Sequence, residues 1–166
     1  MALLNKDVHI TGKHSLMLEE LKQQGIFEYY WQIYIVAPLI GLIYKRKALI
    51  DKSSTQDSTI FLTALTEKPE RRDLIYFIYK SILLYDRDYE SDTKERVNKA
   101  FRYINTEKAQ QDEQLFNSYL LGGIEILHEK TIEKSKDLLK NIGNLIEELQ
   151  PAEDLPDDKH GISNII

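Results

Sequence analysis

The chain has 166 residues, of which 42% are apolar and 30% are charged, and it contains no cysteine. This length suits one domain with a sizeable core, and the lack of cysteine excludes disulfides, thiolate nucleophiles and cysteine-ligated metal sites. The 27 acids and 22 bases give a net charge of −5, which argues against a protein that mainly coats nucleic acid, because such binding depends on neutralising phosphates. The first residues lack the basic stretch and apolar run of a secretory signal, so we expect a protein of the reducing cytoplasm.

The chain begins with a short extended segment and one amphipathic helix. Apolar residues alternate with a histidine over 7–11, which indicates extended backbone. Thr11 or Ser15 can cap a helix that runs to about residue 24. Gly25 is placed to end that helix in a left-handed conformation.

The most apolar segment covers residues 26–44 and carries no formal charge after Glu28. Glu28 and Gln32 shorten its apolar run to roughly a dozen residues, whereas a membrane span needs about 20. We therefore predict a buried central helix, apolar on all sides because other helices surround it. A membrane-attached helix over 29–44 is the alternative. Pro38 is expected to kink or break the helix.

Apolar residues at steps of three and four predict more helices further along the chain. Asp57 or Ser58 is expected to cap the first of these, and Pro69 suits the first turn of the second. Val97 and Phe101 are expected to face the core from the third. The predicted ranges are about 59–67, 69–85, 92–104 (opened by Ser91 or Asp92), 106–128 and 138–149.

These elements together predict an all-α, single-domain bundle of about six helices around a central apolar helix, with a short extended N-terminal segment. We assign residues 1–149 to the helical domain and residues 150–166 to a mobile acidic tail, because the latter stretch has two prolines, four acids and no periodicity. Gly122 and Gly123 lie inside an apolar periodic stretch. We expect this pair, like Pro38, to serve packing by allowing close helix approach, with a helix break as the second interpretation.

No motif in the sequence predicts catalysis or metal binding. Residues 86–92 imitate half of a calcium loop but lack its glycine and its final glutamate. Glu125 and His128 form a Glu-x-x-His element like those of helical di-iron proteins, but no second such element accompanies it. Neither a nucleophile elbow nor a phosphate-binding glycine loop is present. We therefore expect no enzyme activity, cofactor or metal, and a helical active site around Glu125, His128 and Glu129 is the weakest alternative.

A basic cluster and three tyrosines are the candidate contact residues. Lys45-Arg46-Lys47 follow the central helix, where their charges can stabilise its C-terminal dipole. If Arg71 and Arg72 lie nearby in the fold, the cluster can instead contact phosphate or an acidic partner surface. Tyrosines that are exposed suit a protein interface, and those expected to be so are Tyr85, Tyr89 and Tyr103.

Two stretches carry a resemblance to a known group of proteins. Residues 26–47 form a phenylalanine-led apolar segment that ends in a glycine and basic residues, and residues 116–125 form an aromatic-x-x-Tyr-x-x-Gly-Gly-apolar-Glu element. Together they resemble the small helical proteins encoded beside bacterial DNA-phosphorothioation (Dnd) and related phage-defence genes. The resemblance implies an accessory subunit of a defence assembly, with no defined enzymatic activity.

The leading hypothesis is a non-catalytic helical adaptor of a bacterial anti-phage defence or DNA-processing assembly, which acts by contact with a larger protein of that assembly. Direct DNA binding through residues 45–47 is the alternative, with DNA contact secondary to protein contact. Membrane attachment is a further and less favoured alternative, and a homo-oligomer is compatible with all of these.

Overall fold

The computed structural model describes residues 3–53, 55–104 and 106–150. This part of the chain is mostly helical, with one small two-stranded sheet. Residues 151–166, which make up nearly all of the predicted tail, lie outside the described residues. In chain order the elements are β1 (Val8–Thr11), α1 (Lys13–Gln23), α2 (Tyr30–Ile43), β2 (Asp57–Ile60), α3 (Leu62–Thr66), α4 (Pro69–Tyr85), α5 (Thr93–Phe101), α6 (Gln110–His128) and α7 (Leu138–Leu149). A 3-10 turn (Glu107–Ala109) precedes α6 and a π-helical turn (Glu129–Glu133) follows it.

The sheet corrects both the all-α prediction and the helix expected over 59–67. β1 pairs with β2 in antiparallel register, with Val8 opposite Ile60. Asp57 does not cap a helix, because its carboxylate lies 2.9 Å from the His9 ring on the facing strand. The helix begins later, at Leu62, whose N–H donates to the Asp7 carboxylate at 2.7 Å. Thr59 and Ile60, which are both β-branched, suit a strand better than the start of a helix.

The core is built on the crossing of α2 and α6, whose backbones meet without side chains between them. Three glycines make this possible, because a Cβ atom on any of them would overlap a backbone carbonyl of the facing segment. The overlapping pairs are Gly41 with Tyr119, Gly122 with Arg46, and Gly123 with Ala37.

Contacts with α1, α4 and α6 surround α2, as expected for a central helix. Pro38 is buried inside α2, which continues past it to Ile43. Aromatic rings fill the space beside α2, with Phe116 5.6 Å from Tyr34 and 6.0 Å from Tyr79 between ring centroids. No helix in the described part of the chain has the length and apolarity needed to cross a membrane.

The first residue of α1 follows Gly12 rather than a capping serine or threonine. Gly12 has φ 64°, and a Cβ atom there would overlap the Asp51 side chain. The Asp51 carboxylate accepts the Lys13 N–H at 2.7 Å, so a residue from the distant α2–β2 connection caps α1. At the other end Gly25 has φ 73° and terminates α1 in the predicted conformation.

The outer layer formed by α4 and α5 differs from the prediction in which face of α5 is buried. The Asp92 carboxylate caps α5 by accepting the Glu95 N–H at 2.7 Å. Arg96 and Ala100 are the buried residues of α5, whereas Val97 and Phe101, predicted to face the core, are exposed. α5 is turned in this way because the Arg96 guanidinium reaches inward to carbonyls of the α4–α5 loop at 2.8 and 2.9 Å.

Candidate functional site

The first two residues of the basic triplet, Lys45 and Arg46, cap the C-terminal end of α2. The Arg46 N–H donates to the Gly41 carbonyl at 2.8 Å and the Lys45 N–H donates to the Leu42 carbonyl at 3.1 Å. This pattern places Lys45 in the left-handed region, with φ 52°, at a position that glycine usually occupies. A lysine held there costs about 1 kcal/mol, so the sequence departs from local preference at this point.

A cleft of about 730 Å³ opens between the C-terminal ends of α2 and α4. We call it the basic cleft, because four cations and only two carboxylates line it. Lys45 and Arg87 are both exposed and make no ion pair within the described residues. The lining residues are Leu42, Lys45, Arg46, Lys47, Leu84, Tyr85, Asp86, Arg87, Asp88 and Tyr119.

A buried carboxylate, Asp86, neutralises one of these cations. The Lys47 ammonium lies 2.6 Å from Asp86, and the Tyr119 hydroxyl donates to the same carboxylate at 2.8 Å. Burial raises the pKa of Asp86, but the hydrogen bonds from Lys47, Tyr119 and the Tyr89 N–H outweigh burial and keep its pKa below the ordinary value. The charge of Lys47 is therefore already paired inside the protein.

Arg46 turns toward a second buried carboxylate, that of Glu125 on α6. Its guanidinium lies 3.4 Å from Glu125 and 3.4 Å from Glu129. Glu125 also contacts the Lys13 ammonium at 2.8 Å and the His14 ring at 3.0 Å. Burial raises the pKa of Glu125, but these donors lower it below the ordinary value. Burial of the His14 ring lowers the pKa of that histidine despite the neighbouring carboxylate. Because Glu125 contacts Lys13, His14 and Arg46, the cluster joins α6 to α1 and to the end of α2.

The Glu-x-x-His element does not form a common site. Glu125 faces His14, whereas the His128 ring lies 2.5 Å from the Glu20 carboxylate and 3.0 Å from Glu133. Neither Glu125 nor His128 lines the basic cleft or the smaller cavity of about 250 Å³ beside β1. In the part of the chain that the structure describes, no group of three or more metal-ligating side chains comes together.

Arg71 and Arg72 lie at the far end of α4 from the basic cleft. They therefore do not join residues 45–47 in one basic cluster, as the sequence analysis considered. About 22 Å of helix separates Arg71 from Asp86 at 1.5 Å per residue. The Arg71 guanidinium stacks 3.7 Å from the Trp31 ring centroid and donates to the Ala64 carbonyl. Arg72 pairs with its neighbour Asp73 at 3.2 Å. The separation arises because α2 and α4 run in the same direction, which sequence spacing does not reveal.

The three tyrosines predicted for an interface occupy different environments. Tyr85 is 64% exposed and lines the basic cleft. The Tyr89 hydroxyl instead donates to the buried Asp112 carboxylate at 2.7 Å, and burial together with this bond raises the pKa of Tyr89. Tyr103 is half-buried with the Lys108 ammonium 4.5 Å from its ring centroid. Of the three, Tyr85 has the exposure that an interface requires.

Sequence patterns did not predict an exposed apolar surface on α4 and α5. It carries two phenylalanine rings, Phe77, which is 65% exposed, and Phe101, which is 56% exposed. Lys80 is one helical turn from Phe77, and its ammonium lies 5.3 Å from the Phe101 ring centroid, which connects the two helices. Phe77 falls outside the apolar periodicity of α4, and this is the feature of the sequence that could have predicted its exposure. We call this surface the α4–α5 face, and its exposed apolar residues are Leu74, Phe77, Leu84, Tyr85, Val97 and Phe101.

Comparison of the chain with protein-family models, curated proteins and solved structures found no match.

Proposed function

We propose that this protein is a non-catalytic helical adaptor that binds a larger protein through the α4–α5 face. The observation that carries the proposal is the exposure of two phenylalanine rings, Phe77 and Phe101, on one surface with further apolar side chains around them. Covering such a ring with a partner is worth about 1.5–3 kcal/mol, and aromatic residues are enriched in the buried centre of protein interfaces.

The α4–α5 face is well supported from behind, so a partner would meet a preformed surface. The opposite side of α4 is anchored by Ile78, Tyr79 and Ile82, each at most 1% exposed. The α4–α5 loop is held by the Arg96 hydrogen bonds and by the Asp92 cap. A rigid face loses little conformational entropy on binding, which favours affinity.

The proposed partner is a larger protein of a bacterial anti-phage defence or DNA-processing assembly in the cytoplasm. This part of the proposal is supported by the resemblance of residues 26–47 and 116–125 to small proteins of such gene clusters. The glycines of these stretches lie in the α2–α6 crossing, so the resemblance concerns the scaffold, whereas the contact residues are on the outer layer.

The test is co-purification of the tagged full chain from its native host, with Phe77→Asp and Phe101→Asp as disrupting variants. Leu49→Asp is the matched control, because Leu49 is 87% exposed but lies between α2 and β2. We expect one partner to co-purify in fixed ratio with the wild type and with Leu49→Asp, and to be reduced at least tenfold, about 1.4 kcal/mol, in each phenylalanine variant. A partner retained by both phenylalanine variants would contradict the proposal. Light scattering that shows a dimer dispersed by Phe77→Asp would identify the partner as a second copy.

Direct DNA binding through the basic cleft is the second candidate function. It is favoured by Lys45 and Arg87, which line the same cleft without an ion-pair partner in the described residues. This function predicts DNA affinity that falls steeply between about 50 and 200 mM salt and falls further in Lys45→Glu with Arg87→Glu. A wild type that binds no duplex at 50 mM salt would eliminate it.

A further inference from the structure

The basic cleft has the size and the walls of a small-molecule site. Its volume of about 730 Å³ falls in the range of about 300–1,000 Å³ that is usual for ligand pockets. Leu42 and Leu84 supply apolar wall, and the Tyr85 ring, 64% exposed, lines the same cleft. Apolar and aromatic walls that carry a few charged groups are typical of sites that bind one organic ligand.

Two of the four cations that line the cleft are already neutralised by the protein. The Lys47 ammonium pairs with the buried Asp86 carboxylate at 2.6 Å. The Arg46 guanidinium lies 3.4 Å from each of two carboxylates, those of Glu125 and Glu129. The remaining cations therefore set the charge that a ligand would meet.

These remaining cations are Lys45 and Arg87, which are exposed and make no ion pair within the described residues. Lys45 has left-handed backbone, with φ 52°, where glycine would cap α2 at lower cost. The cap thus gives no reason for a lysine at this position. Asp88 also lines the cleft and is likewise without an ion pair in the described part of the chain. The unpaired lining groups, two cations and one carboxylate, carry a net positive charge.

That charge suits a single phosphate monoester. Such a group carries about −1.5 to −2 charges at pH 7, and it accepts charge-assisted hydrogen bonds from lysine and arginine together. A duplex is held by more contacts, commonly about 6–10 phosphates, so the two cations serve one phosphate better. An exposed aromatic ring, here that of Tyr85, is a surface on which a planar base stacks.

We propose that the basic cleft binds a nucleotide-like small molecule, with its terminal phosphate on Lys45 and Arg87 and its planar ring against Tyr85. Neither Phe77 nor Phe101 lines the cleft, so this inference does not depend on the protein partner of the α4–α5 face.

The test is a titration of the full ¹⁵N-labelled chain with the four common nucleoside 5′-monophosphates, followed by NMR in about 50 mM salt. We expect at least one nucleotide to shift the amide signals of residues 42–47 and 84–88. It should bind at least about tenfold more tightly than its own nucleoside, because the nucleoside lacks the charged acceptor. Inorganic phosphate should also bind more weakly than that nucleotide, because it lacks the ring that stacks on Tyr85.

Variants of the cleft should change the affinity in opposite directions. Lys45→Gly and Arg87→Gln should each weaken nucleotide binding about threefold, and Tyr85→Ala should weaken it at least about fivefold. Asp88→Asn removes a repulsive charge and should strengthen binding about threefold. Lys45→Gly also relieves the left-handed backbone, so weaker binding by this variant would not come from unfolding. Arg72→Gln, at the far end of α4, is the matched control and should leave the affinity unchanged.

Three results would overturn the proposal. The first is the absence of binding by all four nucleotides at about 5 mM, where even millimolar affinity is measurable. The second is a nucleoside that binds as tightly as its nucleotide, and the third is equal weakening by Arg72→Gln and Arg87→Gln. Duplex DNA that binds in about 50 mM salt when no nucleotide binds would overturn this proposal and leave the DNA-binding function standing.

Discussion

Gly123 lies directly against the carbonyl of Ala37, with no room for a side chain between α6 and α2. The contact is made by backbone on both sides, so neither group can rotate away from an added methyl group. The stability of the core therefore depends on a position that contributes no side chain.

Replacing Gly123 with alanine should force the two helices apart. We expect Gly123→Ala to lower the free energy of unfolding by about 1–3 kcal/mol, because overpacking outweighs the better helix propensity of alanine. Gly143→Ala is the matched control, since a Cβ atom on this α7 glycine would meet nothing within 4 Å. It should raise the free energy of unfolding by up to about 1 kcal/mol. Urea denaturation measures both, and equal effects of the two changes would contradict the close packing.

A second prediction concerns the cap of α2. Lys45→Gly should raise the free energy of unfolding by about 1 kcal/mol, because glycine adopts the left-handed conformation without steric cost. Gly25→Ala is the reciprocal change at α1, where φ is 73° and space is open, and it should lower stability by a similar amount. Thermal melts of the two variants give the comparison. A destabilised Lys45→Gly protein would show that the lysine side chain is worth more to the fold than its backbone costs.

A third prediction concerns the buried carboxylate of α6. Glu125→Gln should lower the free energy of unfolding by about 1–3 kcal/mol, because Lys13 and the buried His14 lose their charged partner. Glu129→Gln is the control, since Glu129 also lies 3.4 Å from Arg46 but its side chain is 42% exposed, against 9% for Glu125. It should cost less than about 0.5 kcal/mol. Chemical denaturation at pH 7 checks both values, and a neutral Glu125→Gln would mean that the cluster contributes nothing to stability.

A fourth prediction concerns pH. Hydrogen bonds from Lys130 and Tyr44 lower the pKa of Glu148 to about 2 from 4.5. Because the folded pKa lies below the unfolded one, the stabilisation is fully present above pH 4.5 and is lost as pH falls toward 2. The stability gap between wild type and Glu148→Gln should therefore close over that range in denaturant titrations. A Glu148→Gln gap that is constant with pH would refute the prediction.

Local signals in the sequence predicted the helices whose ends are determined locally. Pro69 marked the start of α4, Gly25 the end of α1, and the apolar stripe over 138–149 matched α7. By contrast, β2 is a strand because it pairs with residues about 50 positions earlier. No pattern within residues 57–67 records that partner, so a capped helix was the natural interpretation.

The candidate site was predictable only in part, for the same reason. The triplet at 45–47 was recognised as the basic feature, but its separation from Arg71 depends on the relative direction of two helices. The hydrogen bond between Tyr89 and Asp112 joins different elements and removes one tyrosine from the surface. The outward position of Phe101 follows from the inward reach of Arg96, which reverses the usual assignment of aromatic and charged residues to core and solvent.

The α2–α6 crossing also has a consequence for synthesis on the ribosome. The glycine contacts join segments about 80 residues apart in the chain, and translation at about 5–20 residues per second takes roughly 4 to 16 s to cover that distance. During this interval the apolar surface of α2 has been made but its main neighbour has not. The nascent chain is thus expected to need a chaperone until α6 emerges from the exit tunnel.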